Sequence, residues 1–213
     1  MTNQFGWTVE DWGCIEYAAG YARQKAAVSD VAAGHGPCLF LCEHPPVITL
    51  GRLADSRNIL SSAEGLEQQG IDVIVTDRGG DVTFHAPGQL VVYPILNLND
   101  YRRDLRWYLN KLEQVAIDLL KDFDILTYRL PEKTGVWFGL EKIVSVGVGV
   151  KHWVTFHGLA INVNTDLRFF DFIRPCGLDV RMTSVQEIRS AVVDMKAMKQ
   201  ACVRHCAHVF SKD

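Results

Sequence analysis

The segment RGGDVTFHAPGQ, residues 78–89, places two adjacent glycines, an arginine, a histidine and a proline between two apolar runs. These runs, residues 71–76 and 90–96, have the composition of β-strands. Glycine lets backbone N–H groups approach a ligand closely, and so many backbone-breaking residues are costly inside a core. The segment is therefore predicted to form part of a substrate site.

Composition limits the class of protein. The chain has 213 residues, 48% of them apolar, and a formal net charge of −3. This length suits one domain over residues 1–213 with a full core, and the charge argues against a nucleic-acid partner. Residues 90–96, the longest apolar run of note, are too few to span a membrane. The first residues lack the basic start and apolar stretch of a signal peptide, so the expected location is cytoplasmic.

Six cysteines are present, and without an export signal they are expected to be thiols rather than disulfides. Four residues near the C-terminus raise the question of a metal site: Cys202, His205, Cys206 and His208. On a helix His208 points away from the other three, so ordinary helix residues are favoured over a zinc shell. No metal and no cofactor are expected.

Hydrophobic periodicity predicts a mixed arrangement of helices and strands. Helices are predicted over 14–27, over 62–69 with a capping box at Ser61 and Glu64, from Asn99-Asp100 through Phe123, and over 194–209. Strands are predicted at 39–41, 47–50, 71–76, 90–96 and within 136–163. Without a regular βαβ rhythm, this order predicts an α/β (α+β) fold with a mixed β-sheet flanked by helices.

Three further segments carry candidate chemistry. Cys176, between proline and glycine, is either a reactive loop thiol or a buried structural cysteine, and local sequence favours the second. Lys142 begins a strand in which residues 145, 147 and 149 are serine or glycine, so one strand face is nearly bare and suited to a ligand. Strict alternation would place Lys142 and Gly147 on opposite faces, although both can line one pocket if residues 145–147 make contact through their backbone or if the strand twists at its glycines. His157 in the next strand is either a structural histidine or a catalyst.

Two common signatures are absent. The sequence has no G-x-S-x-G segment, which argues against a serine hydrolase of that type. It also has no G-x-x-x-x-G-K-[ST] segment, which excludes an ATP site of the P-loop type.

An ordered set of motifs extends over residues 39–187. The set comprises EHPPV (43–47) with TLG (49–51), RGGDVTFHAPGQ (78–89) with YPI (93–95), TGVW (134–137), KIVSVG (142–147), HG (157–158) with Ala160 and Asn162, IRPCG (173–177) and TS (183–184). In this order the motifs resemble the lipoyl (octanoyl) transferases. The resemblance implies the fold of the catalytic domain of biotin and lipoate protein ligases. One departure is Ala86, where that family usually has glycine.

The resemblance also implies site residues. It assigns Cys176 as the acyl-thioester nucleophile and Lys142 as its basic partner. It assigns substrate contacts to Arg78, Gly79, Gly80, Asp81, Val82, Thr83, Phe84, His85, Ser145, Val146, Gly147, Gly158, Leu159 and Ala160.

The reaction that the resemblance implies explains these residue types. Exchange of one thioester for another changes bond energy little, and attack by a lysine amine then forms an amide without ATP. The implied donor is acyl carrier protein. The implied acceptors are lipoyl domains of 2-oxoacid dehydrogenase complexes and the glycine cleavage H protein, with no nucleic acid and no membrane involved. A small basic cluster, Arg102, Arg103 and Arg106, would suit an acidic carrier or be a solvated helix start.

Three alternatives remain open from sequence. An ATP-dependent lipoate or biotin protein ligase on the same fold would need no cysteine. A non-catalytic thiol or metal-binding module would use Cys202 and Cys206. A cysteine hydrolase would pair Cys176 with His85 or His157.

Overall fold

Strands and helices alternate irregularly along the chain in a computed structural model that describes residues 6–175 and 180–211. The strands in this part are β1 (Thr8–Cys14), β2 (Cys38–Glu43), β3 (Val47–Leu50), β4 (Asp72–Val75), β5 (Val82–His85), β6 (Gln89–Ile95), β7 (Tyr128–Leu130), β8 (Lys133–Phe138), β9 (Glu141–Lys151) and β10 (Val154–Asn162). The helices are α1 (Tyr17–Ala32), α2 (Ala63–Gln68), α3 (Leu105–Lys121), α4 (Val185–Arg189) and α5 (Met195–Val209).

Seven strands form the main sheet in the order β1-β2-β6-β10-β9-β8-β7. Its first pair, β1 and β2, is parallel and its other neighbouring strands are antiparallel. A smaller sheet has the order β4-β3-β5, with β3 parallel to β4 and antiparallel to β5. Both sheets are therefore mixed, and the predicted fold class is confirmed.

The two faces of the main sheet have different partners, because successive side chains of a strand point to opposite sides. On one face, Leu90, Val92, Leu159 and Ile161 pack with apolar residues of α3 and α5. On the other face, side chains of β6 and β10 such as Val91 pack against α1. Every residue of β10 is buried, as expected for a strand covered on both faces.

Several predicted elements form with shifted ends. The first helix spans 17–32 instead of 14–27, and strand β1 before it was not predicted. The cap of α2 is Ser62 rather than Ser61, since the Ser62 side chain accepts a hydrogen bond from the Gly65 N–H. Likewise α3 begins after Asp104, whose carboxylate accepts from Trp107 N–H, while residues 98–100 form a separate 3-10 turn. A side-chain cap stabilises a helix by about 1 kcal/mol, so the nearer acceptor decides where each helix begins.

The central part of the glycine segment is itself a strand. Residues 82–85 form β5, which was not predicted because it is short and lies between glycines and a proline. Ala86, at the position where the family usually has glycine, is buried and is not among the residues with positive φ. The tight turn instead depends on Gly88, which has φ +84° and no space for a Cβ against the Asn164 carbonyl.

Candidate active site

A cavity lies on the α1 face of the main sheet, where small residues leave the strands bare. Across the sheet, Gly158 of β10 pairs with Gly147 of β9, and Ala160 pairs with Ser145 and with Val91 of β6. These adjacent pairs form the floor of a space that is partly open to solvent. The bare strand face predicted from residues 145 and 147 is therefore the wall of a solvent-connected cavity.

Most of the residues assigned by resemblance meet at this cavity. Its lining includes eleven of them: Arg78, Gly79, Gly80, Thr83, His85, Ser145, Val146, Gly147, Gly158, Leu159 and Ala160. They come from the loop before β5, from β5 itself and from the middle of β9 and β10.

Three of the assigned residues do not line the cavity, and strand alternation explains two of them. Val82 and Phe84 alternate with Thr83 and are fully buried in a separate apolar cluster beneath the small sheet. Asp81 faces the other way, where its carboxylate accepts hydrogen bonds from the Asp55 N–H and the Asn58 side chain. Their position makes them supports of the segment rather than lining residues.

Arg78 is buried at the cavity. Its guanidinium donates hydrogen bonds to the hydroxyl and carbonyl oxygens of Thr49 and to the Gly79 carbonyl. A Cβ at Gly51 would collide with the Gly80 carbonyl and with this guanidinium. The arginine is thus fixed by β3, and a glycine beside it makes the space that its side chain needs.

Aromatic and imidazole side chains that were not assigned as substrate contacts also line the cavity. Tyr17 from α1, Tyr93 from β6 and His157 from β10 are among the lining residues. His157 Nε2 donates to the Asp77 carboxylate at 2.9 Å, so its Nδ1 accepts from the Tyr17 hydroxyl at 3.5 Å. The residues of this Tyr-His-Asp chain are 60 to 140 positions apart in sequence, and only the packing of α1 on the sheet brings them together.

Burial keeps two cavity histidines neutral. Burial, together with neighbouring His44, lowers the pKa of His85 to about 3. Burial also lowers the pKa of His157 to about 4, although its hydrogen bond to Asp77 acts in the opposite direction. Uncharged imidazoles suit a cavity for an apolar ligand, since an uncompensated buried charge would be costly.

These two pKa values predict that mild acid destabilises the protein. Unfolded histidines have a pKa of about 6.5, so between about pH 6.5 and pH 4 the unfolded chain binds more protons than the folded chain. The free energy of unfolding should therefore fall with falling pH. Each of the two histidines contributes up to about 1.4 kcal/mol for every pH unit. Urea unfolding at pH 7.5 and 5.0 measures this, and His85→Gln should reduce the slope. A free energy of unfolding that is the same at both pH values would contradict it.

Lys142 lies on the cavity face of β9, contrary to the strict alternation expected from sequence. The pairing of β8 with β9 shifts between Val136↔Val144 and Trp137↔Lys142, which leaves Ile143 as an extra residue. Ile143 and Val144, although consecutive, both pack into the α3/α5 side of the core. Such a β-bulge reverses the alternation beyond it, so Lys142 falls on the same face as Ser145.

The Lys142 side chain is buried beside Trp137 and Gly135. The side chain is 2% exposed and its Nζ lies 5.6 Å from the centre of the Trp137 ring. A Cβ at Gly135 would meet the Lys142 side chain at 2.6 Å, so glycine at that position makes room for the lysine. Lys142 does not itself line the cavity. It precedes Ser145, the first residue of β9 that does, by three positions.

Cys176, the predicted nucleophile, lies outside the described residues. The chain before it is held by a hydrogen bond from the Arg174 N–H to the Asn58 carbonyl at 2.8 Å. The chain after it runs beside Lys142, whose N–H donates to the Arg181 carbonyl at 2.9 Å. Arg181 lies five positions after Cys176 in sequence.

Residues 16–207 match the sequence model of the lipoyl protein ligase A/B catalytic domain. The chain belongs to this family. Among its relatives, the octanoyltransferase of Syntrophotalea carbinolica is 46% identical over 199 residues, which cover 92% of this chain and 91% of the relative. The octanoyltransferase of Solibacter usitatus is 44% identical over 202 residues, covering 93% and 90%. The predicted resemblance to octanoyltransferases and the acyltransferase class are thereby confirmed.

Solved structures agree on the fold of this lipoyl ligase A/B domain. The bi-partite lipoate protein ligase of Thermoplasma acidophilum aligns over 97% of this chain and 84% of that one, with a TM-score of 0.74 and 15% identity. Ligand-free biotin protein ligase of Aquifex aeolicus aligns over 95% and 68%, with a TM-score of 0.53 and 13% identity. Such low identity shows the common fold only.

The C-terminal cysteine and histidine residues of this family member have structural partners. Cys202 and Cys206 are fully buried in the core. His205 Nε2 contacts the Asp122 carboxylate at 2.8 Å. Across the described residues no cluster of three or more such side chains is arranged to hold a metal ion, and no helix has the length and apolar character to cross a membrane.

Proposed function

We propose that this chain transfers an octanoyl group from acyl carrier protein, through a thioester on Cys176, to a lysine amine of a lipoyl domain. The observation that carries the proposal is the cavity above the small-residue pairs of β9 and β10, on the same strand as Lys142 and three residues from it at Ser145. The names of the relatives support the acyl group, and the cavity supplies a place for it. Cytoplasmic location and the single-domain organisation of residues 1–213 stay predictions.

The cavity suits an unbranched acyl chain. Its apolar lining on the α1 face includes Val91, Tyr93 and Ala160, and the glycine pair Gly147–Gly158 keeps the floor free of side chains. Each methylene group that leaves water for such a surface contributes about 0.8 kcal/mol. Arg78 and His85 at the same cavity provide polar groups for the carbonyl end or the carrier arm.

The proposed reaction has two balanced steps. The thiolate of Cys176 attacks the donor thioester carbonyl, the new C–S bond forms, and the carrier thiol leaves and takes up a proton. The acceptor amine then attacks the cysteine thioester, an amide forms, and the Cys176 thiolate leaves while the amine loses a proton. A free thiol has a pKa of about 8.5, so a neighbouring cation is needed to favour the thiolate. Lys142 supplies this charge, gives its proton to the departing carrier thiolate and, then neutral, accepts the proton of the amine.

The geometry gives no support to a cysteine hydrolase that pairs Cys176 with a cavity histidine. His157 is engaged by Asp77 and Tyr17, and His85 Nδ1 is bonded to Gln89 at 2.7 Å. The low pKa values of both rings make them poor bases at neutral pH.

A product assay separates the transferase from an ATP-dependent ligase on the same fold. The purified chain is incubated with a lipoyl domain and either octanoyl-carrier protein without ATP or free octanoate with ATP. The proposal predicts that the lipoyl domain gains an octanoyl group in the first mixture. A gain confined to the second mixture would overturn it.

The carrier protein is proposed to dock at the basic cluster before and within the first turn of α3. Arg102, Arg103 and Arg106 are all exposed there, and Arg102 forms an ion pair with Asp104. An acidic carrier would be steered by this charge, and the effect would weaken with salt.

Reversing two of these charges tests the docking proposal. Arg103→Glu with Arg106→Glu should raise the KM for octanoyl-carrier protein and flatten its dependence on salt, because the steering charge is lost. The matched control, Lys121→Glu with Arg204→Glu, makes the same change of net charge at exposed residues elsewhere. Equal KM values for the two variants would rule out this cluster as the docking site.

A further inference from the structure

A chain of hydrogen bonds passes through the interior from the cavity to the backbone of Lys142. His85 Nδ1 lies 2.7 Å from Gln89 Oε1, and Gln89 Nε2 lies 3.0 Å from Asn162 Oδ1. Asn162 Nδ2 lies 3.0 Å from the Thr183 carbonyl, and the Thr183 N–H lies 3.0 Å from the Lys142 carbonyl. All five residues are at most 7% exposed, so water does not compete for these bonds.

The chemistry of the end groups fixes the direction of the whole chain. Backbone carbonyls only accept, so the Asn162 amide nitrogen must face Thr183, and the Gln89 amide nitrogen must face the Phe84 carbonyl at 3.2 Å. Gln89 Oε1 is then turned to His85, which must carry its proton on Nδ1. The ring nitrogen Nε2 of His85 is left as an acceptor on a side chain that lines the cavity.

The far end of the chain holds Lys142 at a point where β10 no longer pairs with β9, because that pairing ends at Ile161↔Val144. On its β8 edge, Lys142 pairs with Trp137 just past the bulge at Ile143. In place of β10, residues 181–183 hold Lys142. The Lys142 N–H donates to the Arg181 carbonyl, and the Lys142 carbonyl accepts from the Thr183 N–H. Asn162 is the side chain that bonds the Thr183 carbonyl and thereby ties this segment to β10.

We propose that Gln89 and Asn162 are positioning residues for acyl transfer. Asn162 sets the position of Lys142 through Thr183, and Gln89 joins that arrangement to the orientation of His85 in the cavity. This inference rests on the proposed role of Lys142 in the octanoyl transfer. It adds two residues that were not assigned a role in the reaction from sequence.

The test measures how fast octanoyl-carrier protein acylates the enzyme in a single turnover. Asn162→Leu removes both amide bonds and should slow acylation by roughly 10- to 100-fold, because misplacing a reacting group by about 1 Å costs up to about 100-fold. The KM for the carrier should change little. The matched control is Asn164→Leu, since Asn164 also bonds a backbone segment, Val193, through its carbonyl and amide groups. It should lose stability without the same loss of rate.

A double variant distinguishes positioning from general damage. If Asn162 acts through Lys142, adding Asn162→Leu to Lys142→Met should slow acylation no further. The proposal would be overturned if the rate losses of Asn162→Leu and Lys142→Met multiplied in the double variant. It would also be overturned if Asn162→Leu and Asn164→Leu slowed acylation equally. Acylation by the wild type shows that the proposed function stands even when the positioning proposal fails.

The protonation state of His85 can also be measured directly by NMR spectroscopy. In wild-type protein with ¹⁵N-labelled histidine, His85 should show a protonated Nδ1 and an unprotonated Nε2. Gln89→Glu places a carboxylate beside Nδ1 and should raise the pKa of His85, so imidazolium signals appear nearer neutral pH. A wild-type His85 protonated on Nε2 would contradict the direction of the chain and the role of Gln89.

Discussion

Replacing Lys142 by methionine is expected to leave the protein folded and to slow acylation of Cys176 by about 10²- to 10⁴-fold, the usual contribution of a proton-transferring side chain. Methionine keeps the length of the buried stem, which packs near Trp137. The backbone bonds of residue 142 to Arg181 and Thr183 do not depend on its side chain. Rate loss without unfolding is therefore the expected signature.

The chain offers a matched control for this variant. Lys133 also places its Nζ 5.6 Å from the centre of the Trp137 ring, but its side chain is exposed. Lys133→Met should acylate at nearly the wild-type rate. Quenched intact-mass measurements over time give both rates, and thermal melts check the fold. Equal rates for the two variants would remove Lys142 from the mechanism.

Replacing Gly158 by alanine is expected to destabilise the protein by about 3 kcal/mol, at the upper end of the cost of overpacking a core. A Cβ at Gly158 would collide with the Val92 carbonyl and with Pro94. The carbonyl belongs to the neighbouring strand β6, so the two central strands of the sheet would have to separate.

Gly147→Ala is the control, because Gly147 is paired with Gly158 across the sheet. Its Cβ would meet the Gly79 carbonyl at 3.1 Å and the Arg78 side chain at 3.3 Å, a tight fit that small shifts relieve. This variant should keep most of its stability and bind the octanoyl donor more weakly, since the methyl group enters the cavity. Urea unfolding and the donor KM measure the two effects. A Gly158 variant as stable as the Gly147 variant would contradict the packing described for β6 and β10.

The sequence predicted the cavity wall correctly but not all of its members. Alternating serine and glycine at 145 and 147 indicated a bare strand face, and that face lines the cavity. The alternation within β5 was hidden because this strand was not predicted, so Val82 and Phe84 were assigned to the substrate although they pack away from it. A resemblance to a family assigns whole segments, whereas the pleat of a strand separates neighbours.

The position of Lys142 shows what a one-dimensional pattern omits. Strict period-two alternation would put it opposite Gly147, but a single extra residue at Ile143 reverses the order and leaves no clear mark in sequence. Tyr17 and His157 meet only through the packing of α1 on β10, which no local pattern encodes. The role of Cys176 stays a prediction from resemblance and chemistry.

The intact mass of the enzyme after incubation with octanoyl-carrier protein, without ATP, is the decisive measurement for octanoyl transfer through Cys176. We expect a covalent octanoyl adduct on the peptide that contains Cys176. The adduct should be absent in Cys176→Ala and should be discharged when a lipoyl domain is added. An adduct that persists in Cys176→Ala, that requires ATP, or that never forms in the wild type would contradict it.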